Sequence, residues 1–214
     1  MSIAETSAAA PSAAGEYASV RVEKATRHPH VAQVTLIGPG RNNAMGPDFW
    51  AEMPRVMAEL DADPDVRAAV IAAQGRNFTY GLDLMAMMPQ FMEFLPQDKA
   101  PDASRNERVL DFVENMRRAV DAVASAKTPT VAAVQGPVAG AGFSLAMACD
   151  LCIAGDDAVF NMAYSRIGAS PDGSATYRLP RLVGTRKALD RGDGLGNERR
   201  LVIAVHADVT FPAP

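Results

Sequence analysis

The run from Thr128 to Asp150, TPTVAAVQGPVAGAGFSLAMACD, contains no charged side chain before its final aspartate. A stretch of about 20 apolar residues is long enough for a membrane-spanning helix. Two prolines and three glycines interrupt this run, however, and a continuous helix is excluded because prolines remove backbone donors and glycines weaken the helix. The pattern instead predicts a buried strand over Val131 to Val134, a turn at Gly136-Pro137, and a helix that begins at Gly140.

The predicted helix start coincides with a glycine-rich turn, Gly140-Ala141-Gly142. The first amides of a helix have no acceptor within the helix, and they lie at the positive end of its dipole. Such a turn favours binding of an anion or a developing oxyanion through backbone N–H groups alone. A turn of this kind is weak evidence by itself, so the surrounding segments decide its meaning.

The bulk properties of the chain indicate a globular protein. Its 214 residues suit one domain with a sizeable core, and 48% hydrophobic with 21% charged residues is ordinary for that class. A net charge of −4 argues against nucleic acid or an anionic membrane as partners. Cys149 and Cys152 have no second pair and no nearby histidine, so we predict two buried thiols of a cytoplasmic protein and no metal site.

The N-terminal segment predicts little structure. Residues 1–17 are rich in alanine, serine and proline and have no apolar region of a signal peptide, so we predict a disordered tail. Two strands, Val20 to Glu23 and Val31 to Ile37, are predicted around a turn at His28-Pro29-His30. The two histidines are predicted to be solvated turn residues, and Ser-His-Asp chemistry therefore lacks a base.

The middle of the chain alternates helical and strand patterns. A helix is predicted from Pro47 to Leu60, a buried strand over Val66 to Ala73, and a loop over Gln97 to Ser104. Apolar residues from Val109 to Val123 recur at helical spacing and predict a long amphipathic helix that ends near Lys127. The alternation indicates an α/β protein, but periodicity does not choose its layering.

Two further segments accompany the central run. They are Gly75 to Leu84, GRNFTYGLDL, and Phe160 to Gly184, FNMAYSRIGASPDGSATYRLPRLVG. In this order and spacing, the three segments resemble the crotonase superfamily, the enoyl-CoA hydratases and isomerases. The resemblance covers Val20 to Leu189. It implies a crotonase-like β-β-α spiral and an acyl-CoA-binding domain over residues 18–189.

The resemblance assigns two backbone amides to an oxyanion hole, those of Leu82 and Ala141. Two converging N–H donors would stabilise the enolate of an acyl thioester. The family often has glycine at the second position, but alanine retains its N–H. The coenzyme A groove is implied to include Ala44, Tyr80, Gly81, Asp83 and Gly140. For the Asn43-Ala44 stretch and for Asp83, helix capping explains the sequence about as well.

The acid/base positions separate the reactions of the family. Hydratases of the family use two glutamates, and the matching positions here hold Ser144 and Tyr164, which are expected to line the substrate site. Neither is a general base near neutral pH, because tyrosine titrates near ~10 and serine needs a base of its own. Asp172 matches the aspartate of isomerase-type members. We expect burial by Met and Phe neighbours to raise its pKa, although a turn before Gly173 also explains an aspartate there.

The resemblance therefore implies an enoyl-CoA isomerase that uses a single carboxylate. The alternatives are an enoyl-CoA hydratase, a non-catalytic acyl-CoA binder, and an aryl-CoA dehalogenase, whose reaction needs an aromatic pocket and a histidine, and no histidine is near. The coenzyme A thioester is the substrate, and no separate cofactor or metal is implied. The family also implies a homotrimer or a dimer of trimers.

Two further segments bear on the acyl site and on assembly. The Met- and Phe-rich stretch from Met85 to Leu95 suits either an adaptable acyl pocket or an ordinary core. After Leu189 the chain departs from the family: Asp190 to Asn197 contains three glycines in eight residues, which disfavours a helix. We therefore predict an atypical tail over residues 190–214, as a truncation or frame shift would produce, in place of the helices that close the acyl site and build trimers.

Overall fold

The computed structural model describes residues 17–38, 41–94, 103–164 and 168–192. The strands of this part are β1 Val20–Ala25, β2 His28–Leu36, β3 Ala68–Ala73, β4 Thr130–Val134, β5 Pro137–Ala139, β6 Leu151–Ala154 and β7 Val159–Asn161. The helices are α1 Pro47–Ala62, α2 Leu84–Phe94, α3 Ala103–Ala124, α4 Ala141–Ala148, α5 Ala175–Val183 and α6 Thr185–Gly192, with a 3-10 turn at Arg41–Asn43.

The strands form a large sheet and a small one. The large sheet has the order β1-β2-β3-β4-β6, in which β1 and β2 are antiparallel and the other pairs are parallel. The small sheet pairs β5 with β7 in parallel, and a bridge between Thr79 and Val138 extends it. The chain thus passes from the large sheet to the small sheet and then into a helix, as β4-β5-α4 and again as β6-β7-α5. This is a β-β-α repeat.

The central run folds largely as its sequence predicts. Strand β4 has parallel neighbours on both sides, which explains its uninterrupted apolar sequence. Helix α4 begins after Gly140, and all eight of its residues are buried, so it needs no polar face. Pro137, however, is not a turn residue: it begins β5, whose partner β7 lies more than twenty residues later in the chain.

The predicted turn at His28-Pro29-His30 is wrong. Strand β2 already begins at His28, which pairs with Ala25, so the hairpin turns at Thr26-Arg27. Proline is tolerated at this position because it lies at the start of a strand. The histidines are exposed, as expected, but they belong to a strand.

The Met- and Phe-rich stretch forms α2, and it is not an ordinary core helix. Met87 is its one buried residue, whereas Met85 is 80% exposed and Met92 is 56% exposed. Together with α1 and α3, α2 borders a cavity of about 360 Å³ whose apolar lining includes Trp50, Met87 and residues of α3. Helix α3 confirms the predicted amphipathic helix. It begins at Ala103, so the last two residues of the loop predicted over Gln97 to Ser104 are helical, and residues 97–102 lie outside the described part.

The structure describes only the first residues of the atypical tail that is predicted over residues 190–214. A helix does begin at Thr185, but residues 193–214, like residues 1–16, lie outside the described part. None of the described helices is long and apolar enough to cross a membrane. Cys149 and Cys152 are free thiols that are half-buried, where fully buried thiols were expected. Desolvation still raises the pKa of Cys149 to about 12 and that of Cys152 to about 11, which disfavours their reactive thiolate forms.

Candidate active site

Two chain segments, residues 42–45 and 77–83, are held side by side at the edge of the site. The Met45 amide donates to the Gly81 carbonyl at 2.7 Å, and the Asp83 amide donates to the Met45 carbonyl at 3.0 Å. This pairing is a parallel bridge between Met45 and Leu82. In such a bridge both hydrogen bonds use Met45, so the amide of Leu82 points away and remains available.

The second segment also crosses the start of α4 at very short distance. A Cβ atom on Gly81 would lie 2.5 Å from the Ala139 carbonyl oxygen and 3.0 Å from the Ala141 amide nitrogen. A Cβ atom on Gly142 would lie 2.5 Å from the Thr79 side chain. Only glycine allows the two backbones to approach this closely, and Gly81 also needs its positive φ of 83°.

This crossing places the Ala141 amide nitrogen 3.0 Å from a Cβ position on Gly81, the residue that precedes Leu82. Neither the amide of Leu82 nor that of Ala141 has a hydrogen-bond acceptor among the described residues. Ala141 is the first residue of α4, so its N–H lies at the positive end of a buried helix dipole. Two free donors beside each other can stabilise a carbonyl oxygen that gains negative charge.

The residues implied for the coenzyme A groove surround these amides. Ala44 precedes Met45 in the paired segment, and Tyr80, which is 46% exposed, precedes Gly81. Gly140 is the residue before Ala141. Asp83 has a visible structural role, because its carboxylate accepts from the amides of Met85 and Ala86 at 3.1 and 2.9 Å. It caps α2, which is the alternative that the sequence left open.

The acid/base positions converge on one carboxylate. The Tyr164 hydroxyl donates to Oδ1 of Asp172. The Ser144 hydroxyl donates to the backbone carbonyl of Asp172 at 3.2 Å. Because the Ala175 amide donates to the same carbonyl at 2.9 Å, the turn that carries Asp172 is held from two sides.

The protonation states follow from burial. Burial raises the pKa of Asp172, and the hydrogen bond from Tyr164 partly opposes this increase. Burial also raises the pKa of Tyr164 well above 10, and the nearby Asp172 charge raises it further. Tyr164 is therefore a donor at all ordinary pH values. The direction expected for Asp172 is correct, but Tyr164 contacts its carboxylate where methionine and phenylalanine neighbours were expected.

One side chain connects the carboxylate to the free amides. A Cβ atom on Gly140 would lie 3.9 Å from Cζ of Tyr164 and 4.0 Å from its hydroxyl oxygen. The Tyr164 ring therefore lies against the residue that precedes Ala141, while its hydroxyl reaches Asp172.

Sequence reasoning missed two residues that build the site. Asn43 places its amide nitrogen 2.8, 3.0 and 3.1 Å from the carbonyls of Gln74, Asn77 and Phe78. Thr79 is fully buried; its hydroxyl donates to the Asn43 carbonyl at 2.6 Å and accepts from the Gly81 amide at 3.0 Å. The available signal was the Asn42-Asn43 pair, since both residues have the positive φ that asparagine tolerates.

Comparison with known proteins gives the site its family context. The sequence profile of the Enoyl-CoA hydratase/isomerase family matches residues 26–190. The probable enoyl-CoA hydratase EchA14 of Mycobacterium tuberculosis is 35% identical over 159 residues, 74% of this chain and 57% of the relative. The human mitochondrial Delta(3,5)-Delta(2,4)-dienoyl-CoA isomerase is 33% identical over 175 residues, 81% of this chain and 52% of the relative.

Two further comparisons extend the range of activities and the evidence for the fold. A 4-chlorobenzoyl coenzyme A dehalogenase of Arthrobacter sp is 30% identical over 160 residues, 75% of this chain and 54% of the relative. The crystal structure of an enoyl-CoA hydratase from Polaromonas sp. JS666 superposes with a TM-score of 0.70 at 30% identity, over 85% of this chain and 65% of that one.

The chain spans little more than half the length of these curated relatives. Its β-β-α repeat, the superposition on a solved hydratase and the profile match over residues 26–190 nevertheless agree. The relatives include a hydratase, an isomerase and a dehalogenase, so membership and reaction are separate questions. The chain has the crotonase fold and belongs to the enoyl-CoA hydratase/isomerase family.

Proposed function

We propose that the protein is an enoyl-CoA isomerase, which converts a 3-enoyl-CoA into the conjugated 2-enoyl-CoA. The observation that carries this proposal is the single carboxylate of Asp172, held by Tyr164 and Ser144 at the positions where hydratases of the family have two glutamates. Hydration needs one group to activate water and another to protonate carbon. A double-bond shift needs only one group that takes up a proton and returns it.

The proposed reaction proceeds in two proton transfers. Asp172 removes a proton from C2 of the thioester, and the electrons of that bond form a dienolate whose oxygen accepts from the Leu82 and Ala141 amides. The protonated Asp172 then delivers the same proton to C4, and the double bond lies between C2 and C3. No atom is gained or lost, so no water or cofactor takes part.

The electrostatics support this assignment. The pKa of Asp172 is raised by burial, which makes its carboxylate a stronger base than a solvated aspartate. The free amides of Leu82 and Ala141 would stabilise the dienolate, and loss of one such donor lowers the rate by roughly 10²–10³-fold in other enzymes. In the groove, we propose that Ala44, Tyr80, Gly81, Asp83 and Gly140 contact coenzyme A.

The dehalogenase alternative has less support in the described residues. That reaction needs a histidine, and His28 and His30 lie exposed in β2, two strands away from β4.

The test measures two reactions on one preparation of the full chain. We expect 3-enoyl-CoA to be converted to the conjugated thioester and 2-enoyl-CoA to be hydrated much more slowly. The Asp172→Asn variant serves as the control for contaminating enzymes. Fast hydration without isomerisation would contradict the proposal, and binding of acyl-CoA without either reaction would favour the non-catalytic binder.

A further inference from the structure

We infer that Ser144 and Tyr164 are positioning residues, which together fix the carboxylate of Asp172 relative to the Leu82 and Ala141 amides. The inference takes the role of Asp172 from the proposed function. It adds that Ser144 and Tyr164, at the two positions where hydratases of the family have glutamates, do not transfer protons to or from the substrate in this chain. They hold Asp172, the group that does.

Tyr164 fixes the side chain of Asp172. The ring of Tyr164 is 7% exposed and lies against Gly140, so its hydroxyl has little freedom to move. Because its pKa is raised far above the working range, the hydroxyl can only donate to Oδ1. Among the described side chains, Tyr164 is the one that hydrogen-bonds the Asp172 carboxylate, and it does so at Oδ1.

Ser144 fixes the backbone of Asp172. Ser144 is fully buried in α4, three residues after Ala141, and its hydroxyl reaches the Asp172 carbonyl. The turn lies directly on this serine, since a Cβ atom on Gly173 would be 2.6 Å from Cβ of Ser144. Helix α4 therefore carries both the proposed oxyanion donor, Ala141, and the support of the turn that carries Asp172.

The ionisation of Asp172 depends on the same contacts. Tyr164 faces its carboxylate from the loop after β7, and Ser144 faces its carbonyl from α4; both are uncharged. Burial raises the pKa of Asp172, and the Tyr164 hydrogen bond is the main side-chain contact that lowers it. No charged side chain of the described part takes part in the shift. Removal of the Tyr164 hydroxyl should therefore raise the pKa.

The experiment titrates Asp172 in the free protein. The full chain is labelled with ¹³C at aspartate carboxyls, and Asp172→Asn assigns the signal. We expect Tyr164→Phe to raise the pKa of Asp172 by about one unit, because a hydrogen bond to a charged group contributes on the order of that shift. The variant Tyr164→Gln retains a donor and should bring the pKa back toward the wild-type value.

Two further variants complete the design. Ser144→Ala should leave the pKa of Asp172 nearly unchanged but lower kcat for isomerisation by about tenfold, because the turn loses its support. Tyr177→Phe is the matched control: Tyr177 lies in α5, is 58% exposed, and should change neither quantity.

The outcomes separate this inference from the proposed function. An unchanged or lowered pKa of Asp172 in folded Tyr164→Phe would overturn the role of Tyr164. If that variant does not fold, Tyr164→Gln is titrated in its place, and a pKa of Asp172 lowered by more than a unit would overturn the role equally. If Tyr164→Phe raises the pKa of Asp172 but the wild-type protein does not isomerise enoyl-CoA, the positioning role is supported and the proposed reaction is rejected.

Discussion

The site has a main-chain half and a side-chain half, and they are built on different principles. The amides of Leu82 and Ala141 are placed by two backbones that cross with glycine at the contact, and side-chain identity at the donors matters little. The carboxylate of Asp172 is placed by Tyr164 and Ser144, whose identities decide the chemistry. Under the proposed function, the main-chain half would bind the oxyanion and the side-chain half would transfer the proton, so the two can be tested separately.

The largest effect is expected in the main-chain half. Gly81→Ala places a methyl group 2.5 Å from the Ala139 carbonyl oxygen, which must separate the two amides. We expect kcat to fall by about 10²–10³-fold, as for loss of an oxyanion donor. Isomerisation kinetics and the Tm of each variant measure the effect.

Gly75→Ala is the matched control for that variant. Gly75 has a φ of 84° against 83° for Gly81, but no atom lies within 4 Å of its added Cβ. Gly75→Ala therefore introduces only the backbone strain of a positive φ, about 1–2 kcal/mol, whereas Gly81→Ala also displaces the neighbouring backbone. Equal loss of kcat in both variants would show that general destabilisation, and not the distance between the amides, is responsible.

A somewhat smaller effect is expected in the side-chain half. Asp172→Asn should lower kcat by about 10²-fold, since general acid/base groups contribute at least that much, while the Kd for acyl-CoA stays the same. Asp156→Asn, at an exposed aspartate in the turn after β6, is the control and should change neither value. A weaker Kd in Asp172→Asn would mean that the aspartate binds substrate and the two halves are not separate.

The pH dependence of Asp172→Asn provides a second measurement. Because the folded protein has a raised pKa at Asp172, it binds that proton more tightly than the unfolded chain does. Stability from this group is present at low pH and is lost as pH rises through the folded pKa. At neutral pH the Asn variant should therefore unfold at the same Tm as wild type or higher, despite its low activity.

The smallest effect is expected where side chains support the main-chain half. Asn43→Gly keeps the positive φ but removes an amide that contacts three carbonyls, so we expect kcat to fall about tenfold through displacement of the Leu82 segment. Asn42→Gly is the control, since Asn42 also has a positive φ but accepts one side-chain hydrogen bond, from Asn77 at 3.0 Å. Equal kcat values for the two variants would contradict a positioning role of Asn43.

Local sequence patterns predicted the helices and strands better than they predicted which strands pair with each other. Strand β4 and helices α3 and α4 were predictable because apolar periodicity and glycine-rich turns act locally. The turn at His28-Pro29-His30 was wrong because proline marks turns more often than strand starts, and Thr26-Arg27 has no strong turn residue. Strand β5 was missed because its only evidence is its pairing with the distant β7.

The two halves of the site also differed in how far the sequence could predict them. The glycines of the main-chain half form a pattern that can be read directly, because the close approach of Gly81 and Gly142 requires them. Nothing local places Ser144, Tyr164 and Asp172 together. Their contacts depend on how α4, the loop after β7 and the turn before α5 pack in three dimensions, and only the resemblance to the family indicated that they meet.

The exposure of α2 has a consequence for how the protein withstands oxidants. Thioethers that solvent reaches are converted to sulfoxides, which turns an apolar side chain into a polar one. Met85 is 80% exposed and Met92 is 56% exposed, whereas Met87, on the same helix, is 2% exposed at the cavity. The outer methionines would therefore be oxidised first, on a face where added polarity costs little, and would consume oxidant before the cavity side of the helix is damaged.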